Sequence, residues 1–341
     1  MDIHTNIPLK NYTTMKLGGP TRFMVEVRSA EDIPLICKNA SQQNLPVAIL
    51  GGGSNTIVRD EGFSGIILHM KISGIEVIAD DLYSTTIRIG AGELWDNVVI
   101  YSVERRLSGI EAMSAIPGTT GAAPVQNVGA YGQEIADTLV SLVAYDRTND
   151  TFVTLTNEEC GFSYRSSIFR TTEQNRYIIT SVSLKLSKNL PSPPFYDALQ
   201  KYLDNANITT YTQATIRDAV VAIRASKLPD PSLIANTGSF FKNAIVEEWQ
   251  LHDLQAQYPD IPSYDMGDGR FKIPSGWLIE KAGLKGKLLH GMRIYEKNAL
   301  VLVNESAQTY QDLADARDEI IGTIRDTFRV LIEQEPLELH S

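Results

Sequence analysis

Three short polar motifs, widely separated along the chain, carry the residue types that acid–base chemistry needs. Tyr164-Arg165 places a guanidinium after a β-rich stretch, and its planar fork suits a carboxylate or an enolate. Gly238-Ser-Phe-Phe-Lys-Asn243 sets the Ser239 hydroxyl between a glycine and two aromatics, with Lys242 and Asn243 as further donors. Glu335 supplies a carboxyl group close to the C-terminus, and Glu333 competes with it two residues earlier. Each motif also has a plain structural alternative: an exposed arginine beside a core aromatic, a strand burying Phe240 or Phe241, a solvated tail carboxylate. The residues by themselves leave both readings open.

Such groups act only beside a surface that holds a cofactor or substrate, and two glycine-rich stretches are candidates. Ile116–Gly132 has four glycines and two prolines in seventeen residues, too few large apolar side chains for a core element. Glycine and alanine let the backbone approach a ligand closely, while Pro117 and Pro124 stiffen it and remove two amide donors. The resulting wall of small residues with free N–H groups suits a pyrophosphate or a flat ring. The second stretch, Ile49-Leu-Gly-Gly-Gly-Ser-Asn55, directly follows a strand-like run, where backbone amides can point at an anion.

Composition and absent motifs narrow the function classes. The 341 residues are enough for two or three domains, with 43% hydrophobic and 21% charged residues, an ordinary soluble-globular balance. A formal charge of −10 argues against binding to nucleic acid or an anionic membrane, whose readers carry a basic footprint. Two cysteines, Cys37 and Cys160, give no disulfide framework and favour a reducing compartment. No signal peptide is visible at the N-terminus, and no run of eighteen apolar residues occurs. The chain therefore reads as cytoplasmic. There is no G-x-G-x-x-G after the first strand, no phosphate-loop G-K-[ST] and no G-x-S-x-G elbow. The five histidines, His4, His69, His252, His290 and His340, lack ligand spacing, so no metal site is expected.

The elements that must position these groups read as an α+β chain. Val47–Leu50, Gly65–Leu68 and Thr86–Ile89 are strand-like. Ile33, Ile36, Cys37 and Ala40 follow helical spacing, with Ser29 as N-cap and Asp32 completing a capping box. A second helix carries Leu94, Val98, Val99 and Val103 on one face and stops near Gly109. Ser141–Tyr145, Thr151–Leu155 and Tyr177–Leu186 read as strands. Leu190-Pro-Ser-Pro-Pro194 then marks a domain boundary. Beyond it, a helix through Ile216, Ala219, Val220 and Ile223 delivers Arg224 and Lys227 near its end. A last helix stripes Leu313, Ile320, Ile321, Ile324 and Phe328.

Several of these stretches, in this order and over nearly the whole chain, resemble the UDP-N-acetylenolpyruvoylglucosamine reductase family. The resemblance rests on Ile116–Gly132, Ile49–Asn55, Tyr164-Arg-Ser-Ser-Ile-Phe169, Arg224-Ala-Ser-Lys-Leu-Pro-Asp-Pro231, Gly238–Asn243, Gly276-Trp-Leu-Ile279 and Glu333-Gln-Glu335. It implies an N-terminal FAD-binding region, residues 1–188 in two α+β subdomains, of the vanillyl-alcohol-oxidase kind. A C-terminal α+β substrate-binding domain, residues 189–341, would follow, with its tail returning to the active site. It further implies non-covalent FAD and NADPH as co-substrate, reducing UDP-N-acetylglucosamine enolpyruvate to UDP-N-acetylmuramate for peptidoglycan. The expected partners are these small molecules, and the chain is read as a monomer.

Residue by residue, the resemblance makes Ser239 the proton donor, with Arg165 and Glu335 as the other catalytic groups. FAD falls to Gly51, Gly52, Gly53, Ser54, Asn55, Pro117, Gly118, Gly121, Ala122, Gln126, Asn127, Gly129, Ala130, Tyr131 and Gly132. The sugar nucleotide falls to Tyr164, Arg224, Lys227, Asn243, Tyr264 and Lys272. Tyr196 matches the tyrosine of a longer subclass, on a loop that closes over the diphosphate. The chain departs from the family pattern at Pro336, directly after Glu335, and at Tyr295, where relatives often carry histidine. An FAD oxidase of the same superfamily would not need the motifs beyond residue 220. A nucleotide-sugar binder without chemistry would not need all three catalytic residues.

Overall fold

Phe63–Met70 is buried along nearly its whole length, as a parallel strand covered on both faces must be. A computed structural model describes residues 2–339, so Met1, His340 and Ser341 lie outside the described residues. Phe63–Met70 pairs in parallel with Pro20–Val27 on one side and Val47–Leu50 on the other. Ile3–Pro8 adds an antiparallel edge. The helix Ile33–Gln42 joins two of these strands. A five-stranded antiparallel sheet follows, in the order Thr151–Thr156, Leu139–Asp146, Tyr177–Ser187, Ser84–Gly90, Ile75–Asp80. One hydrophobic core fills the space between: Val25, Ile33, Ile36 and Leu68 meet Ile87, Trp95, Val98, Leu142 and Val182 in it.

After the proline run come the helices Asp197–Asn205 and Gln213–Lys227. Their buried faces, through Leu199, Leu203, Ile216 and Ala219, pack around Ala112 and against Tyr131 of the preceding region. The second starts at a capping box in which Thr212 and Thr215 exchange side chain-to-backbone bonds. The remaining chain builds a four-stranded antiparallel sheet containing Asn236–Ser239 and Val301–Asn304. A three-stranded sheet containing Ala244–Glu247 lies beside it. Phe240, Phe241, Ile279, Ile320 and Phe328 share its core.

Two segments lace the halves together. Met15 and Leu17, from the N-terminal region, belong to the C-terminal core. The Thr14 amide donates to the Gly53 carbonyl at 3.1 Å, and the Asn236 amide donates to the Thr14 carbonyl at 3.1 Å. In the opposite direction, the C-terminal strand Leu337–Leu339 pairs in parallel with Thr56–Val58, directly after the first glycine turn. Glu338 locks that register. It accepts from the Tyr310 hydroxyl at 2.8 Å and pairs with Arg59 at 2.6 Å and Arg317 at 3.6 Å.

Two local expectations differ from the structure. Ser29 does not cap the helix at Ile33. A 3₁₀ turn over Ala30–Asp32 intervenes, and the Ser29 hydroxyl turns to the Glu31 carboxylate. Pro34 in the first turn leaves one fewer amide to satisfy there. Leu94 is more than half exposed instead of core-facing. Trp95 takes the core position, and its indole N–H donates to the Met113 carbonyl at 3.0 Å.

Tyr310→Phe removes one charge-assisted bond from a partly exposed site and should cost about 1 kcal/mol of stability. It should also speed hydrogen exchange at the Leu337 amide, which donates to the Asn55 carbonyl at 2.9 Å. Hydrogen-exchange mass spectrometry of the C-terminal peptide checks this.

Candidate active site

The two glycine-rich stretches touch one another and line one cavity of about 240 Å³. Their contact explains their composition. A Cβ on Gly52 would come within 2.9 Å of the Gly118 Cα, and one on Gly51 within 2.3 Å of the Thr119 hydroxyl. At Gly53, φ is +64° and a Cβ would strike the Tyr12 carbonyl. Side chains stitch the loops as well: the Ser54 hydroxyl donates to the Pro117 carbonyl at 3.1 Å, and the Asn55 amide donates to Gln126. The amides of Gly51 and Gly52 have no acceptor among the described residues. They are therefore free to bind an anion. Ala48, Ala91, Trp95, Ile179 and Tyr177 supply an apolar wall. Free backbone amides together with an apolar wall fit a dinucleotide with a flat ring.

The cleft takes in Gly51–Asn55, Pro117, Gly118, Gly121, Ala122 and Gln126 from the expected cofactor residues. The others lie off its lining. Asn127 is buried with φ 45°, its side chain bonded to the Ser163 carbonyl and the Ala136 amide, and it braces the loop. Gly129 and Ala130 pair with Gln133 and Glu134 in a small hairpin with Tyr131 and Gly132 at its turn. A Cβ on Gly129 would meet Gln133 and Glu134, so its glycine serves that hairpin. Sequence reading missed Arg170, Asn175, Tyr177 and Leu337–Leu339, which also line the cleft. Arg170 follows the Tyr164–Phe169 motif directly. The tail residues carry no local signal, because long-range pairing alone brings them here.

At the tail, Glu335 and Glu333 part company. Glu333 is 76% exposed and pairs with Lys242 at 3.3 Å. The Glu335 side chain is 12% exposed, with Arg165 Nε at 3.3 Å from its Oε1. That contact lacks hydrogen-bond geometry, and Arg165 Nε has no hydrogen-bond partner. The guanidinium is anchored instead through Nη2, which donates to the Gly129 carbonyl at 2.8 Å. Arg165 itself sits at φ 52°, an uncommon conformation for a non-glycine residue. Burial pushes the Glu335 carboxyl above the ordinary carboxylate range, against the opposing charges of Arg165, Arg170 and Lys242. The Glu335 amide donates to the Phe240 carbonyl at 2.9 Å, one residue beyond Ser239. Ser239 ends a strand whose register shifts between Asn236 and Ser239, with Gly238 at φ +71°. Pro336 leaves the Glu335 amide bond to Phe240 in place, and a following proline favours extended backbone at Glu335.

A cationic and aromatic cluster adjoins this centre. Lys272 Nζ lies 4.9 Å from the Tyr164 ring centroid and 5.7 Å from that of Tyr264. Burial, then the charge of Arg165, holds the Lys272 ammonium below its ordinary value. Asn243 Oδ1 accepts from the Ser275 amide at 3.2 Å. Tyr196 is half exposed and meets the Tyr131 ring edge-on, 6.1 Å between centroids. Arg224 has no carboxylate partner among the described residues, because Arg217 occupies Asp96. Burial lowers its pKa, and Tyr131 lies near. Lys227 is exposed at the helix end and contacts none of these groups.

Similarity to known proteins decides the family. An FAD binding domain profile matches residues 21–156, and the C-terminal domain of UDP-N-acetylenolpyruvoylglucosamine reductase matches residues 230–338. The UDP-N-acetylenolpyruvoylglucosamine reductase of Flavobacterium johnsoniae is 38% identical over 98% of this chain and 99% of its own length. The chain belongs to the UDP-N-acetylenolpyruvoylglucosamine reductase family. The reductase of Ralstonia nicotianae is 40% identical over 97% of both chains. The crystal structure of the Thermus caldophilus reductase covers 99% of this chain and 98% of its own, with TM-score 0.66 and 24% identity, a match in fold. As a member of this reductase family with an FAD binding domain, the protein is a flavin-dependent oxidoreductase.

Gly52→Val should force the reductase's two loops apart at Gly118 and abolish flavin retention while the protein still folds. Absorbance of the purified variant near the flavin bands, set against its circular dichroism, measures both.

Proposed function

We propose that the protein reduces UDP-N-acetylglucosamine enolpyruvate to UDP-N-acetylmuramate with NADPH, and that Arg165, Ser239 and Glu335 carry the chemistry. The observation that supports it most is the nearly buried Glu335 carboxyl beside Arg165, tied by its own amide to the residue after Ser239. Bound FAD supplies two-electron hydride chemistry between NADPH and the enolpyruvyl double bond.

Negative charge develops beside the substrate carboxylate as the terminal carbon is reduced. Arg165 meets that charge with a guanidinium, and Glu335, whose protonated form burial favours, meets it with a carboxyl O–H. Ser239 delivers a proton to the carbon bearing the carboxylate. The diphosphate and uridine fall to Lys272, Tyr264, Tyr164 and Asn243, with Arg224 as a buried cation lacking a partner. Lys227 and Tyr196 complete this set at the rim, Tyr196 closing over the diphosphate from its exposed position at a helix start. Gly51–Asn55 and Pro117–Gln126 hold FAD, and Asn127, Gly129, Ala130, Tyr131 and Gly132 support it from behind the cleft. The protein works as a monomer in the cytoplasm, where NADPH and the sugar nucleotide are available, and its product feeds wall synthesis for growth and division.

Ser239→Ala separates the two halves of the reaction. Reduction by NADPH needs no proton from this serine and should proceed at nearly the normal rate. Reoxidation by the enolpyruvyl substrate should slow by about 10²–10⁴-fold, the usual worth of a positioned general acid. Substrate binding should persist. Rapid-mixing absorbance reads each half, and equal slowing of both would make Ser239 structural.

A further inference from the structure

Arg170 lies at the meeting point of both glycine-rich loops and the tail, yet touches no carboxylate. Its Nη2 donates to the main-chain carbonyl of Glu335 at 2.6 Å, and its Nη1 donates to Gln126 Oε1 at 3.4 Å. Gln126 Oε1 also accepts from Asn55. The Leu337 amide donates to the Asn55 carbonyl at 2.9 Å, two residues past Glu335. These contacts close a ring: Asn55, Gln126, Arg170, Glu335, Leu337 and Asn55 again. Arg170 also lines the cofactor cleft, and burial lowers the pKa of its guanidinium.

The charged groups facing Glu335 divide the work. Arg165 lies at the carboxyl oxygen, and Lys242 adds charge at longer range but is engaged with Glu333. Arg170 grips the backbone instead. A tail residue whose amide is held by Phe240 and whose carbonyl is free could still turn about its φ and swing its Cα–Cβ bond. Holding both amide and carbonyl fixes the peptide planes on either side of Glu335.

We infer that Arg170 is a positioning residue: it clamps the main chain of Glu335 to the two cofactor loops, so the carboxyl group is correctly placed only when those loops are in register. This rests on the reading of Glu335 as catalytic. A charge-assisted bond to a partly buried carbonyl is among the stronger hydrogen bonds. A misplacement of about 1 Å at a catalytic group can cost about 10²-fold in rate.

The test compares Arg170→Met, Arg170→Lys, Glu335→Gln and the Arg170→Met/Glu335→Gln double variant as flavin-loaded enzymes. Arg170→Met should be reduced by NADPH at near wild-type rate and reoxidised by the enolpyruvyl substrate up to about 10²-fold more slowly. The loss should fall in the maximal rate, with little change in substrate KM. Arg170→Lys, which keeps a cationic donor, should recover much of that rate. The double variant should be no slower than Glu335→Gln alone, and exchange of the Glu335 and Leu337 amides should quicken in Arg170→Met. A wild-type reoxidation rate in Arg170→Met overturns the inference, as does a double variant slowed by the product of the single effects. Equal loss of both half-reactions overturns it too, since Arg170 would then act through the flavin. A wild-type rate in Glu335→Gln instead overturns the assignment of Glu335, and the inference falls with it.

Discussion

A carboxyl group taken out of water beside two guanidinium groups faces opposite pulls. Desolvation favours its neutral form, whereas Arg165, Arg170 and Lys242 favour the ionised one. At Glu335 burial wins, and the carboxyl is held above its ordinary range. That outcome depends on geometry. Arg165 makes no hydrogen bond to the carboxylate, and Arg170 spends its donors on a carbonyl and on Gln126. A bidentate arginine would have pulled the balance the other way. A neutral acid and an unengaged guanidinium face are what an enolate-like charge requires.

The rest of the architecture serves to hold that arrangement. Glu335 stands on a tail that crosses back to pair with Thr56–Val58, beside the cofactor cleft. The strap through Thr14 and Met15 crosses in the opposite sense, joining Gly53 to the strand that ends in Ser239. Gly53, the strand ending in Ser239, and Glu335 are thus tied by main-chain bonds between segments far apart in sequence. Main-chain ties set the direction of the Cα–Cβ bonds at Ser239 and Glu335, and burial around the Glu335 side chain then limits where it can turn.

Much of this was readable from residues. The glycine stretches imply a backbone that a ligand can approach; what the structure shows at Gly52 is instead the close packing of one loop on the other, at Gly118. The sheet strands and the helices ending in Lys227 and Phe328 followed their apolar periodicity. Local patterns failed where a neighbour from elsewhere decided the matter. Leu94 lost its core position to Trp95, whose indole found the Met113 carbonyl. Ser29 had an acidic partner nearer than the helix amides. Glu333 and Glu335 look alike in sequence, and only the pairing of the tail separates an exposed carboxylate from a buried one. Arg170 directly follows the Tyr164–Phe169 motif, but its partner, the Glu335 carbonyl, lies 165 residues away and carries no local signal.

The central claim is that Glu335 acts in its protonated form. Its pKa in the folded protein is raised, so the protonated fraction is full at low pH and falls as pH rises through that raised value. The most direct measurement is the pH dependence of substrate-driven reoxidation, by rapid mixing, for the wild type and Glu335→Gln. The account predicts a wild-type rate that declines with rising pH, and a slower variant whose rate lacks that decline. A wild-type rate that climbs with pH, or the same decline in Glu335→Gln, would contradict it.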